Sequence, residues 1–239
     1  MGKTRRRHWF NGNPLPPLRL LRYGPPGAEK PGMLDEAGRI RSLSYVLDDI
    51  RPSHLDDDWI EILRAVDPGT LPLVATVEEA GVDLRLAAPL VEPGRVVLGD
   101  ALDDPPAALS GPDDDLPRGL ARRGAAIAGV IGRPTRDVSP SAALVCVSCY
   151  VLDVGGIGPW LISADALGTP RSMRVEGAGR AGGLLDRLAA TIAVASRQVT
   201  LQPGDLVRPG LDAADRPDAG ETVGAAIEGL GRQRHRILE

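Results

Sequence analysis

Glycine and proline recur so often in this chain that few stretches run uninterrupted: there are 29 glycines and 22 prolines in 239 residues. Glycine admits left-handed turns and proline removes a backbone donor, so the segments between them favour short strands over long helices. Two stretches escape this punctuation. In WIEILRAV (59–66), Ile60, Ile62, Leu63 and Val66 fall roughly on one helical face. Asp58 or a neighbouring aspartate can cap its start, and Pro68-Gly69 ends it. In GGLLDRLAATIAVASRQ (182–198), Leu184, Leu185, Leu188 and Ile192 form one apolar stripe, the pattern of an amphipathic helix.

Strands are expected at LRLLRY (18–23), at Gly32–Leu34 after the PPG loop, and at VVLGD (96–100). They are also expected in RRGAAIAGVIGR (122–133), LVCVSCYVLDV (144–154), GPWLIS (158–163), TLQPGDLV (200–207) and ETVGAAIEGLGRQRHRIL (221–238). Asp35–Gly38 reads as a tight turn, and ALDDPPAALSGPDDDLPRG (101–119) as loop. Aromatic residues make up only 3%, so the core has to be built from Ala, Val, Leu and Ile. Trp160, entering an apolar strand after a Gly-Pro turn, is expected in that core.

A net charge of -4 argues against nucleic acid or an anionic membrane as partner. No apolar run is long enough to span a bilayer, and the basic start MGKTRRRHWF has no apolar stretch behind it as a secretory signal would. A cytoplasmic protein with a disordered tail over residues 1–17 is the expectation. Cys146 and Cys149 form a lone CxxC. Zinc needs a second ligand pair, and redox chemistry favours a helix N-terminus over a strand, so both are read as buried structural thiols. His8, His54 and His235 are expected at separate solvent-exposed positions.

The order of segments carries a resemblance. LRYGPPGAEKPGMLDEAGRIRSLS, SGPDDDLPRG, GVIGRPTRDVSP, GPWLISADAL, TLQPGD and IEGLGRQRHRI are similar, in collinear order, to landmarks of the fumarylacetoacetate hydrolase family. The similarity covers roughly residues 18–239. It implies an α+β, mainly β chain: a small N-terminal domain over 18–92, then a mixed β-sheet roll over 93–239, assembled as a dimer. It also implies cleavage, hydration, decarboxylation or isomerisation of 2-oxo acids and 1,3-dicarbonyls. For that chemistry a divalent ion grips the substrate oxygens and steadies an enolate, and Mg²⁺ takes oxygen ligands.

The resemblance places two metal-binding glutamates, spaced Glu-x-Glu, where this chain has Gly124 and Ala126. It places the third ligand, an aspartate, at Asp153. The family's histidine and glutamate general-base segment has no counterpart between VVLGD and ALDDPPAALSG. Its lysine is missing, and Arg208-Pro209-Gly210 stands near the place of its Gly-Thr-Pro loop. Between Pro93 and Gly220 the chain holds one glutamate, Glu176, and no histidine or lysine.

The expectation is therefore a catalytically impaired or non-catalytic family member, with Asp153 as a remnant ligand, no catalytic residue and no cofactor. Its partner would be a second copy or a full-length relative. The alternative is an active hydrolase, decarboxylase or isomerase using Mg²⁺ or Mn²⁺ at a rearranged site of Asp153, one of Asp113, Asp114 and Asp115, and Glu176. The aspartate run, near Asp103 and Asp104, is read as a solvated turn. Arg122 and Arg123 are read as surface charges at a strand end.

Overall fold

The computed structural model describes residues 9–10, 13–14, 17–80, 83–99, 101–103, 109–165, 174–175, 179–180, 182–210 and 216–239. Of the expected tail, the antiparallel pair β1 (Trp9–Phe10) and β2 (Asn13–Pro14) and residue Pro17 are described. The rest of that tail, His8, Asp104 and Glu176 lie outside the described residues.

The N-terminal segment starts with three antiparallel strands, β3 (Arg19–Tyr23), β4 (Lys30–Leu34) and β5 (Arg39–Ser42). The β4–β5 turn is held by Asp35, whose Oδ1 accepts from the Ala37 and Arg39 N–H groups while Gly38 takes a left-handed φ of 73°. Helix α1 (Asp57–Arg64) follows, and β6 (Leu73–Thr76) adds to the edge at β5. Asp56 caps α1, accepting from Trp59 N at 2.8 Å, and Asp57 and Asp58 stand in the first turn where the helix dipole favours negative charge. The helix ends at Arg64, before the separate turn at Pro68. Ile60 and Leu63 are buried, whereas Ile62 is 52% exposed, so the apolar stripe is narrower than the sequence suggests.

The chain continues through β7 (Leu86–Ala87), β8 (Val96–Leu98), β9 (Ala101–Asp103) and β10 (Leu116–Pro117), so the expected 101–119 loop contains two short strands. Next come β11 (Ala126–Ile131), the short helix α2 (Pro140–Ala143), β12 (Val147–Asp153) and β13 (Ile157–Ser163). The rest is β14 (Arg174–Val175), β15 (Gly179–Arg180), α3 (Gly182–Gln198), β16 (Leu206–Arg208), β17 (Thr222–Ile227) and β18 (Gly231–Leu238).

These strands make two mixed sheets. The larger runs β6-β5-β4-β3-β13-β12-β11-β16-β8-β9, with β7 alongside β3. The smaller runs β10-β18-β17-β14-β15. Most neighbours are antiparallel, but β16–β8 and β10–β18 are parallel. The chain is thus mainly β, and β3 pairs directly with β13.

The central strand β11 is buried along its whole length and divides its side chains between two cores. Ile127 and Ile131 face α3 and the smaller sheet, where Leu185, Leu188, Ile192, Val223 and Ile227 pack. Ala128 and Val130 face α1 and the N-terminal segment with Cys149, Val151, Ile60 and Leu63. At Gly129, a Cβ would lie 3.1 Å from the Leu188 side chain and 3.2 Å from that of Val147. The small residues of this strand therefore let helix and sheet approach closely.

Candidate functional site

β11 and β12 run antiparallel with Ala126 directly opposite Asp153. Paired residues in a ladder share a face, so a side chain at 126 is the nearest cross-strand neighbour of Asp153. The neighbour here is a methyl group. Gly124, two residues earlier, adopts a left-handed φ of 86°, a conformation in which a side chain is strained. Neither position offers an oxygen to a ligand of Asp153.

Asp153 itself is wholly buried. Its carboxylate is gripped by Arg208 at the end of β16: Nη2 donates to Oδ1 at 2.8 Å and Nε to Oδ2 at 3.1 Å. This is a bidentate fork on both carboxylate oxygens. A second guanidinium, Arg122, places Nη2 3.5 Å from Oδ2. Gly155 N–H also donates to Oδ1, at 2.8 Å. The arginines are anchored in turn, Arg208 Nη2 to Gly155 O and Arg122 Nη2 to Pro209 O, each at 2.8 Å.

Burial alone would push the Asp153 carboxyl up. The charges of Arg208 and Arg122, the Arg208 hydrogen bonds and the Gly155 amide outweigh it and hold the carboxyl down at about 2. For Arg208, burial works against the charged form, and Asp153 overrides it so that the guanidinium is held above its ordinary value. Asp153 is therefore held as a carboxylate to a pH well below the ordinary range for an aspartate.

Several expected residues lie elsewhere in the network than the sequence suggests. Arg122 is 6% exposed and belongs to the Asp153 cluster, not to the surface. Arg123 keeps the expected surface role, pairing with Glu221 at 2.8 Å. Arg208 was no candidate at all. The signal for it was an arginine ending the apolar run LVR, since a charge inside a buried strand requires a partner.

The aspartate run forms the expected turn, with Asp113 and Asp115 exposed, and hydrogen bonds also pin it to its neighbours. Asp113 Oδ2 accepts from Leu86 N at 2.8 Å. Asp114 spends Oδ1 on Arg85 at 2.6 Å and Oδ2 on Gly111 N at 2.7 Å. Asp115 is exposed. These bonds tie the turn to β7 and direct the Asp113 and Asp114 oxygens away from any shared ligand.

Among the described residues, no group of three or more His, Cys, Asp or Glu is placed to hold a metal ion. Cys146 and Cys149 are buried free thiols. Cys146 lies in the turn that precedes β12, while Cys149 stands within the strand and its thiol is pushed up to about 12 by burial. His235 departs from the expected exposure, being 1% exposed. His54 is half-buried rather than exposed, with Nδ1 2.9 Å from Asp49 O and its ring edge-on to Trp59. Trp160 is also half-buried, its indole N–H donating to Gly229 O at 2.9 Å.

No family model matches the chain. It is similar over nearly its whole length to Burkholderia proteins whose names assign them provisionally to the hydrolases. One, from Burkholderia multivorans, is 34% identical over 278 residues, covering 90% of this chain and 97% of that protein. Another, from Burkholderia cenocepacia strain HI2424, is 32% identical over 284 residues, covering 93% of this chain and 99% of that protein. Both alignments are longer than the 239 residues of the chain, so the relatives carry segments that it lacks.

Among solved structures, maleylpyruvate hydrolase from Sphingobium sp. SYK-6, in complex with manganese(II) and pyruvate, superposes with a TM-score of 0.68 at 19% identity. It covers 92% of this chain and 98% of that one. Fumarylacetoacetate hydrolase from Exiguobacterium antarcticum gives 0.60 at 20% identity, covering 92% and 99%. No helix among the described residues is long and apolar enough to cross a membrane.

Proposed function

Because the chain belongs to the fumarylacetoacetate hydrolase family, we propose that it is a member whose divalent-metal chemistry has been given up. In this reading Arg208, with Arg122 behind it, supplies the positive charge that Asp153 would otherwise share with a metal ion. The observation that carries the reading is the bidentate Arg208–Asp153 pair, with a methyl group at 126 across the ladder.

The donor set does not fit Mg²⁺ or Mn²⁺. A hard cation needs several oxygens converging on it. Among the described residues one carboxylate stands at this site, and both of its oxygens face guanidinium groups. Bringing a divalent ion to Asp153 would place it against two fixed positive charges in a desolvated site. The metal and pyruvate in the Sphingobium enzyme belong to that protein, and no catalytic step is derived from them for this chain.

The chain keeps the family's sheets and loses its metal chemistry, so it acts as a binding or partner subunit. As parts of the same proposal, residues 18–92 form the N-terminal unit and 93–239 the catalytic-type unit. The chain assembles in the cytoplasm with a second copy or with an intact relative that supplies the active site.

The naming of those relatives as hydrolases favours a second reading, an active metal-dependent enzyme acting on carbon–carbon bonds of 2-oxo acids or 1,3-dicarbonyls. That reading needs oxygens from Asp153, the 113–115 run and Glu176 to meet on one ion. The experiment is turnover of oxaloacetate and of acylpyruvates by the purified chain with Mn²⁺ or Mg²⁺, beside an intact family enzyme as control. The first reading predicts no rate above the metal-only blank. Metal-dependent turnover abolished by Asp153→Asn would establish the second.

A further inference from the structure

Strand β18 alternates in and out. Gln233, His235 and Ile237 point inward, and Arg232, Arg234 and Arg236 point to solvent. The Gln233 amide is oriented by its surroundings: Nε2 donates to Leu152 O and to Gly158 O, each at 2.7 Å. Turning the amide round would set its oxygen against two carbonyl oxygens. The Gln233 oxygen therefore faces His235, 2.8 Å from Nε2. On the other side of the ring, Nδ1 lies 2.8 Å from the backbone oxygen of Asp114.

Both ring nitrogens thus face oxygen acceptors. A neutral imidazole carries one N–H and one lone pair, so it can satisfy only one of them. Each neutral tautomer leaves an oxygen at hydrogen-bond distance from a lone pair, which repels. Only the imidazolium, a donor at both nitrogens, makes the two contacts together. The ring is packed closely on the backbone of Gly156, where an added Cβ would stand 2.6 Å from its Cε1.

We propose that His235 is a proton-operated latch: with both nitrogens protonated it ties the 111–115 turn to β18, and on losing the Nδ1 proton it keeps Nε2–H on the fixed Gln233 oxygen and releases the Asp114 carbonyl. The turn in question also anchors β7, through Asp113 to Leu86 N and Asp114 to Arg85. Opening the Asp114 contact would therefore loosen the joint between β7, β10 and β18.

The charged groups around the ring set where it titrates. The turn contributes Asp113, Asp114 and exposed Asp115, with Asp114 paired to Arg85. From β12 comes Asp153, paired to Arg208 and near Arg122. The β12–β13 turn presents the glycine backbone at 156 and β13 that at 158, and the arginines of β18 point away. Burial pushes the His235 imidazole below the ordinary histidine value, while the Asp114 carbonyl and the Asp114, Asp113 and Asp153 charges push it back up. The closed latch is thus the acid form. The inference rests on the bonding around one ring and not on the loss of metal chemistry.

The test is an NMR titration of the full chain labelled with ¹⁵N-histidine, with His8→Gln and His54→Gln assigning the His235 ring by elimination. At the acid end of the folded range both ring nitrogens should carry protons, and one proton should leave as the pH rises. Over the same interval the Asp114 amide, after correction for intrinsic exchange, should exchange about five- to tenfold faster, the equivalent of about one hydrogen bond. A ring that holds a single proton throughout the folded range would overturn the proposal. So would Asp114 protection that stays constant through the His235 titration. Both readouts come from the intact His235 side chain and need no substitution at the latch.

Discussion

Arg208→Met is the perturbation that bears hardest on the Asp153 cluster. It removes two hydrogen bonds to the carboxylate and one to Gly155 O, all buried. Breaking a buried pair from one side costs about 3–5 kcal/mol, because the remaining ion is stranded without solvent. Arg122, 3.5 Å from Asp153, remains to screen the charge, which favours the lower end of that range. A loss of about 3 kcal/mol is a large fraction of the 5–15 kcal/mol typical of a folded protein. At this chain length it should lower Tm by about 6–12 °C.

The double variant Asp153→Leu/Arg208→Met discriminates pair energetics from general damage. Replacing both ions by apolar groups of similar size removes the stranded carboxylate, although it also takes the nearby counter-charge from buried Arg122, whose Nη2 stays on Pro209 O, so the double variant should be the more stable of the two while remaining below wild type. Urea unfolding with an unchanged m-value is the assay. A loss below about 1 kcal/mol for Arg208→Met, or a double variant at least as unstable as the single one, would refute the reasoning.

Four further outcomes follow from the burial and packing of single residues. The Asp153 carboxyl sits at about 2 in the folded chain, below its ordinary 3.8, so its contribution is fully present above about pH 4 and is lost as pH falls toward 2. That contribution is about 2 kcal/mol, and the corresponding limb of the acid-unfolding curve should be missing in Asp153→Asn. Cys149, wholly buried with its thiol pushed up to about 12, should not react with a thiol reagent at pH 8 in the native chain and should react fully after denaturation. Gly156→Ala should cost 2 kcal/mol or more, since the new methyl would lie 2.6 Å from His235 Cε1 and 2.8 Å from Gly111 O. Gly183→Ala in α3 meets nothing within 4 Å and should leave stability unchanged or raise it by up to about 1 kcal/mol, both read by thermal unfolding.

Helices α1 and α3 and the central strands were legible because apolar periodicity and turn residues report directly on local structure, whereas the single turn of α2 is too short to show a period. The 182–198 stripe yields α3 over the same residues, and the apolar runs yield β11, β12 and β13. Asp35–Gly38 formed the expected turn through a local carboxylate bond. The hydrogen-bonded anchoring of the aspartate turn and the burial of Arg122 and His235 escape sequence reasoning for a common physical reason. A charged or polar side chain near a turn looks solvated in one dimension, and only the third dimension brings Leu86 N, Asp153 or Gln233 to it. Arg208 is the clearest instance. Fifty-five positions separate it from Asp153, and no local pattern links the two. The methyl at Ala126, by contrast, was visible in sequence, and the ladder register places it opposite Asp153.

Mn²⁺ binding, followed by electron paramagnetic resonance as free ion is titrated with the purified full-length chain, probes the guanidinium-for-metal substitution most directly. The account predicts that the free-ion signal stays proportional to added Mn²⁺, alike for wild type and Asp153→Asn. Saturable uptake of one ion per chain, weakened by Asp153→Asn, would contradict it.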